Sequence, residues 1–204
     1  MKLSLSTLVI KSSTHASGRG FTIIELLVSI SIFTVLTGVV LAKYNTYNTS
    51  APFANASEDV VLALRQAQVY GAGGKGNPAV CTGGTAFECT YGVYFSTSGT
   101  LKNGITLFVD TNNDRMFTQG TDSVIERIAW NSEISVSALS CPGPVGTCGS
   151  AVTVTFRRPD PLAFIAEVVN PANSYDSASV TLTHAISGRT ANIVISKAGQ
   201  ISLR

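Results

Sequence analysis

From Phe21 to Ala42 the chain reads FTIIELLVSISIFTVLTGVVLA, 22 residues that hold one charged side chain, Glu25. Coiled as an α-helix, the run is about 33 Å long, close to the thickness of a bilayer's hydrocarbon core. Its length and lack of charge predict a single transmembrane helix. A secretory signal peptide has a shorter apolar region, about 7 to 15 residues, and ends in a small-residue cleavage site. Here AKYNTYN follows the run, without that pattern. Lys2, Lys11 and Arg19 all lie before Phe21, so the excess of positive charge on that side places the N-terminus in the cytoplasm. Everything after Lys43 is then expected outside the cytoplasm.

An ionised group at the centre of a membrane helix costs roughly 2.5 to 3.5 kcal/mol on insertion scales, and such groups are usually functional. Glu25 and the GRG before Phe21 are what a plain anchor does not explain. Together they resemble the N-terminal motif of type IV prepilins and type II secretion pseudoprepilins. That motif is a basic leader ending in Gly, an aromatic residue, three largely apolar positions, Glu and an apolar helix. Gly20, Phe21, Thr22, Ile23, Ile24, Glu25 and Leu26 fill it in order. The resemblance implies cleavage by a membrane prepilin peptidase between Gly20 and Phe21, and methylation of the new amino group on Phe21. It also implies that Glu25 meets such an amine during assembly with other pilin or pseudopilin subunits. The further partners it implies are the membrane assembly machinery and the lipid bilayer. The function expected is that of a minor pilin or pseudopilin, held in the cytoplasmic membrane and built into a type IV pilus or a type II secretion pseudopilus.

Beyond the apolar run, 11 basic residues face 12 acids, because three of the chain's 14 basic residues precede Phe21. The global basic field of a non-specific nucleic-acid binder is therefore absent. The four cysteines form two close pairs, Cys81 with Cys89 and Cys141 with Cys148. An even count in an exported domain favours disulfides, although four cysteines allow three connectivities. The two sequential pairs are the expected ones, each closing a small loop. Neither pair has zinc-knuckle spacing, and both histidines stand alone.

The expected organisation is a leader over residues 1–20, a transmembrane and assembly helix over 21–43, a helical continuation over 44–72 with a kink or break near Pro52, and a β-rich extracytoplasmic domain over 73–204. In the continuation Phe53, Ala56, Val60, Leu64 and Ala67 recur at three- and four-residue steps, which makes one apolar stripe. Ser57, Glu58 and Asp59 look like an early turn, and Gly71 with AGGKGNP an end. From Cys89 onward the period becomes two. Val152, Val154 and Phe156 alternate with Thr153 and Thr155, Val180 and Leu182 flank Thr181, and Ile201 and Leu203 flank Ser202. About eight antiparallel strands follow from that alternation and the turn signals between the runs. The fold class expected is α+β, a long N-terminal transmembrane helix packed on an antiparallel β-sandwich-like domain. This order of elements is similar to that of the minor pseudopilin H and FimT-like pilins.

Three further groups of residues carry candidate chemistry. Asp110, Asn112 and Asp114 in DTNNDRMFTQGTD alternate as in the first half of a calcium loop. Arg115 stands where that loop needs Gly and Thr121 where it needs an acid, so a self-capped turn competes with the calcium reading. No cofactor other than this calcium candidate is expected. His15 and His184 are isolated, and no nucleophile, base and acid can be assembled around them, so an enzyme is not expected. FimT-like pilins include DNA-binding members with Gly-Arg followed by a further basic residue near the C-terminus. Gly188 and Arg189 match the first part and Ala191 departs from the second, which makes a DNA-uptake pilin the alternative reading.

Overall fold

A computed structural model describes residues 20–76, 89–142, 148–168 and 174–204, with side chains at 45–49 and 161 excepted. The chain divides into two compact units between Asn45 and Thr46. A single helix, α1 (Ile23–Ala72), contributes to both.

The expected break near Pro52 is absent, because α1 is uninterrupted there. Proline inside a helix removes one backbone hydrogen bond, at a cost of about 3 kcal/mol. The residues just beyond it offset that cost by burial: Phe53, Ala56, Val60, Leu64 and Ala67 are all in the core, joined by Ala63. Ser57 is accordingly no cap. It sits inside α1 and donates its hydroxyl back to the Phe53 carbonyl at 3.0 Å. The true end of the helix uses Gly74 at φ 65°. Lys75 N–H reaches the Tyr70 carbonyl at 2.9 Å, and Gly74 N–H reaches that of Gly71 at 3.3 Å. This crossed pair satisfies carbonyls that a helix end leaves open.

Among the described residues nine strands follow: β1 (Thr90–Ser96), β2 (Gly104–Asp110), β3 (Ser123–Ala129), β4 (Ile134–Ser140), β5 (Ala151–Arg157), β6 (Asp160–Glu167), β7 (Ser177–His184), β8 (Thr190–Ser196) and β9 (Ile201–Leu203). They form a five-stranded sheet in the order β3-β2-β1-β5-β6 and a four-stranded sheet in the order β4-β7-β8-β9, with antiparallel pairing throughout. The α+β class expected from the periodicities is thus observed. The apolar stripe of α1 in the second unit shares one core with the inward residues of both sheets, among them Val93, Val154, Ile165, Val180 and Ile193. At Gly71 the helix touches β5 so closely that an added Cβ would lie 2.8 Å from Phe156 Cβ. Any side chain there would push the helix off the sheet.

The alternation in β5 predicts Thr153 and Thr155 on a wet face, yet both are buried. The connection from β2 to β3 folds back over that face. Its Phe117 lies 5.0 Å from the Tyr94 ring and 5.1 Å from that of Phe108, and its Arg115 carbonyl accepts the Thr153 hydroxyl at 3.2 Å. Gly92 makes room beneath, since a Cβ there would stand 2.8 Å from the Phe108 ring.

Candidate functional site

The first turn of α1 is where the sequence motif becomes geometry. Gly20, Phe21 and Thr22 are outside the helix, which begins at Ile23. Phe21 is 80% exposed, so the bond before it is open on the surface of the chain. Thr22 is the residue that closes the helix start. Its Oγ1 accepts the backbone N–H of Glu25 at 3.3 Å, and its carbonyl accepts that of Leu26 at 3.1 Å. A threonine three residues before a glutamate is the pattern of a capping box. The signal was present in TIIE, and the reading of the sequence above gave Thr22 no role.

Glu25 is held in that first turn, where the unsatisfied N–H groups of the helix favour a negative charge. Its side chain is exposed, and among the described residues its carboxylate has no hydrogen-bond or ion-pair partner. The neighbouring polar side chains behave differently. Ser29 donates to the Glu25 carbonyl at 2.7 Å, Ser31 to that of Val28 at 2.8 Å and Thr34 to that of Ile30 at 2.8 Å. Hydroxyls satisfied by their own helix add little cost in lipid. Glu25 is the exception within an otherwise self-sufficient segment.

The helix is long and apolar enough to cross a membrane over Ile23–Tyr44, with mean hydropathy 2.3, and none of that span is buried within the chain. A core helix of a soluble domain would be covered. Lys2, Lys11 and Arg19 lie outside the described residues.

The calcium candidate has a different internal logic. Asp110 is buried, and its carboxylate accepts backbone N–H groups from Asn113 at 2.6 Å, Asp114 at 3.2 Å and Arg115 at 2.7 Å. Asn112 Nδ2 donates to Asp114 Oδ2 at 2.7 Å. Asp122 is also buried and accepts the backbone N–H groups of Thr111 at 2.9 Å and Thr118 at 2.6 Å. The acids therefore staple their own loop. Burial pushes the Asp110 carboxyl up to about 6 against the opposing N–H groups of Arg115 and Asn113, and burial raises Asp122 in the same way. Among the described residues no group of three or more His, Cys, Asp or Glu side chains is gathered as a metal needs.

Cys141 and Cys148 form a disulfide, as their spacing predicted. Cys89 is also disulfide-bonded, and its expected partner Cys81 lies outside the described residues. Arg189 is exposed in the β7–β8 connection beside Gly188, whose φ is 65°. His184 ends β7 fully buried. Its Nδ1 accepts the Ser187 N–H at 3.2 Å, its Nε2 lies 3.4 Å from Glu133 Oε2, and the Phe53 ring stands edge-on to it. It is a packed core residue of the second unit.

Comparison with characterised proteins and with solved structures gives no match for the chain. One family model does match: residues 16–41 carry the prokaryotic N-terminal methylation motif, which spans the Gly20–Phe21 junction, the Thr22 cap, Glu25 and most of the apolar helix.

Proposed function

We propose that this protein is a type IV pilin-like subunit, a minor pilin or type II secretion pseudopilin, cut between Gly20 and Phe21, methylated on the new amine and assembled through its N-terminal helix. The observation that carries the reading is the methylation motif over residues 16–41, in register with an exposed Phe21 and an unpartnered Glu25 in the first turn of an uncovered apolar helix. The role is structural.

Cleavage converts the amide nitrogen of Phe21 into an α-ammonium four residues from Glu25. A carboxylate alone in lipid is costly, and a charge partner lowers that cost. Between subunits the same attraction selects the one stagger that brings amine and carboxylate together, so the pair fixes register even where it adds little stability. Membrane insertion comes first, with the N-terminus cytoplasmic and the β-domain outside, where the Cys141–Cys148 bridge persists.

The test has two readouts on cells that make the filament. Mass analysis of the mature chain should give an N-terminus at singly methylated Phe21. Glu25→Ala should be cleaved normally and fail to enter filaments. Filaments that contain the alanine variant at normal levels would overturn the mechanism, and an uncleaved mature chain would overturn the family reading itself.

A further inference from the structure

The part of α1 that belongs to the second unit carries a face that the processing motif does not account for. Glu58, Leu62, Arg65 and Val69 follow one another at steps of four, three and four residues, which places them within about 60° on one side of the helix. Val60, Leu64 and Ala67, which enter the core, lie on the opposite side. All four residues of the face are exposed, Leu62 by 62% and Val69 by 66%. Among the described side chains of α1 beyond Ser50, these two are the exposed large apolar ones.

The two charges cannot meet on their own helix. An ion pair within one helix joins residues three or four apart. Glu58 has Ala54, Asn55, Val61 and Leu62 at those positions, and Arg65 has Val61, Leu62, Gln68 and Val69. Among the described residues neither charge has an ion-pair or hydrogen-bond partner. Glu58 and Arg65 are seven positions apart, and so are Leu62 and Val69. The face is therefore complementary to itself after a shift of seven residues, about 10.5 Å. In a parallel pair of helices displaced by that amount, Glu58 of one stands beside Arg65 of the other, and Leu62 beside Val69. Without the shift, Glu58 faces Glu58 and Arg65 faces Arg65, and like charges repel.

We propose that this face of α1 docks against the same face of a second copy of the chain, the two helices parallel and displaced by seven residues. The proposal rests on the reading of the chain as a pilin-like subunit, because insertion of both copies into the membrane in one direction is what makes the helices parallel. Two apolar side chains and one charge pair fall far short of the ~800 Å² per partner of a stable interface of ordinary size. The contact therefore forms between copies already held side by side in the membrane, where the effective concentration of one for the other is high. An exposed ion pair adds little affinity, so Glu58 and Arg65 select the displacement. Each contact uses Glu58 and Leu62 of one copy with Arg65 and Val69 of the other. It leaves the complementary half of each face free, so further copies can add in the same way.

The experiment is disulfide crosslinking of the full chain in the membranes of cells that make it, with two differently tagged copies, one Leu62→Cys and one Val69→Cys. No free cysteine occurs among the described residues to compete with the introduced thiols. Mild oxidation should give the mixed dimer at about ten times the yield of either like-with-like dimer, because a disulfide needs Cα atoms within about 7 Å and like positions are about 10.5 Å apart along the helices. Glu58→Arg in both copies should lower the mixed dimer about fivefold, and Glu58→Arg combined with Arg65→Glu should restore it. Equal yields of mixed and like-with-like dimers overturn the displacement. A mixed dimer indifferent to Glu58→Arg overturns the charge pairing, and an adduct to a different pilin-like subunit in its place overturns the assignment to a second copy. Absence of any adduct, while mass analysis of the same chain finds methylated Phe21, overturns this contact and leaves the pilin-like reading standing. A chain left uncleaved before Phe21 overturns both.

Discussion

Replacing Phe117 by alanine tests whether the β2–β3 connection is a structural cover. Phe117 is 5% exposed and stacks between Tyr94 and Phe108 on the outer face of the five-stranded sheet. Truncating a buried phenylalanine costs about 3 to 5 kcal/mol, the transfer of the ring plus the void it leaves. The connection is a surface segment and can partly collapse, which places this site near the lower figure. Its ends remain stapled by Asp110 and Asp122, which limits that collapse. The expected loss is about 3 kcal/mol, or about 10 °C in melting temperature for a unit of this size. Urea unfolding of the full chain in neutral detergent reports it through Trp130, the only tryptophan, whose indole N–H donates to Asp59 on α1 at 3.4 Å. Phe117→Leu should recover most of the loss. An alanine variant within about 0.5 kcal/mol of the parent, the range of ordinary surface substitutions, would refute the covering role.

Two other outcomes are expected. Thr22→Val removes the hydroxyl that accepts the Glu25 N–H, at a cost near 1 kcal/mol, so exchange of the Glu25 amide in the mature chain should quicken about fivefold, and Thr22→Ser should restore it. Asp110 binds its proton more tightly folded, near pH 6, than unfolded, where the ordinary value is 3.8. Between those values the folded chain holds more protons, so this group's contribution to stability is highest below about pH 4 and falls as pH rises to about 6. The loss is at most about 3 kcal/mol. Unfolding midpoints across that range should show the decline, and it should be absent from Asp110→Asn.

Local spacing made much of this protein legible. The apolar run, the Gly-Phe junction and Glu25 lie in one short stretch, so their chemistry needs no tertiary context. The stripe from Phe53 to Ala67 and the alternation of Val152, Val154 and Phe156 named core residues correctly, because period follows directly from helix and strand geometry. The cysteine spacing found the Cys141–Cys148 bridge. Thr22 is legible in the same way, since TIIE is a capping pattern that lies inside the methylation motif.

What the chain alone did not disclose depends on what lies over what. Pro52 reads as a break because local propensity opposes it, and α1 continues because burial beyond it outweighs one missing hydrogen bond. Thr153 and Thr155 read as solvated and are buried, because a connection some 40 residues earlier folds across them. Arg115 reads as a defect in a calcium loop. In the fold its left-handed backbone is held by Asp110, and its guanidinium lies over the ring of Phe164, 49 positions away. The sequence by itself determined the membrane segment, its processing motif and the strand periodicities, all set by neighbours within a few residues. Only the tertiary structure decided which polar residues are covered and which distant side chains meet, because both depend on contacts between segments far apart in the chain.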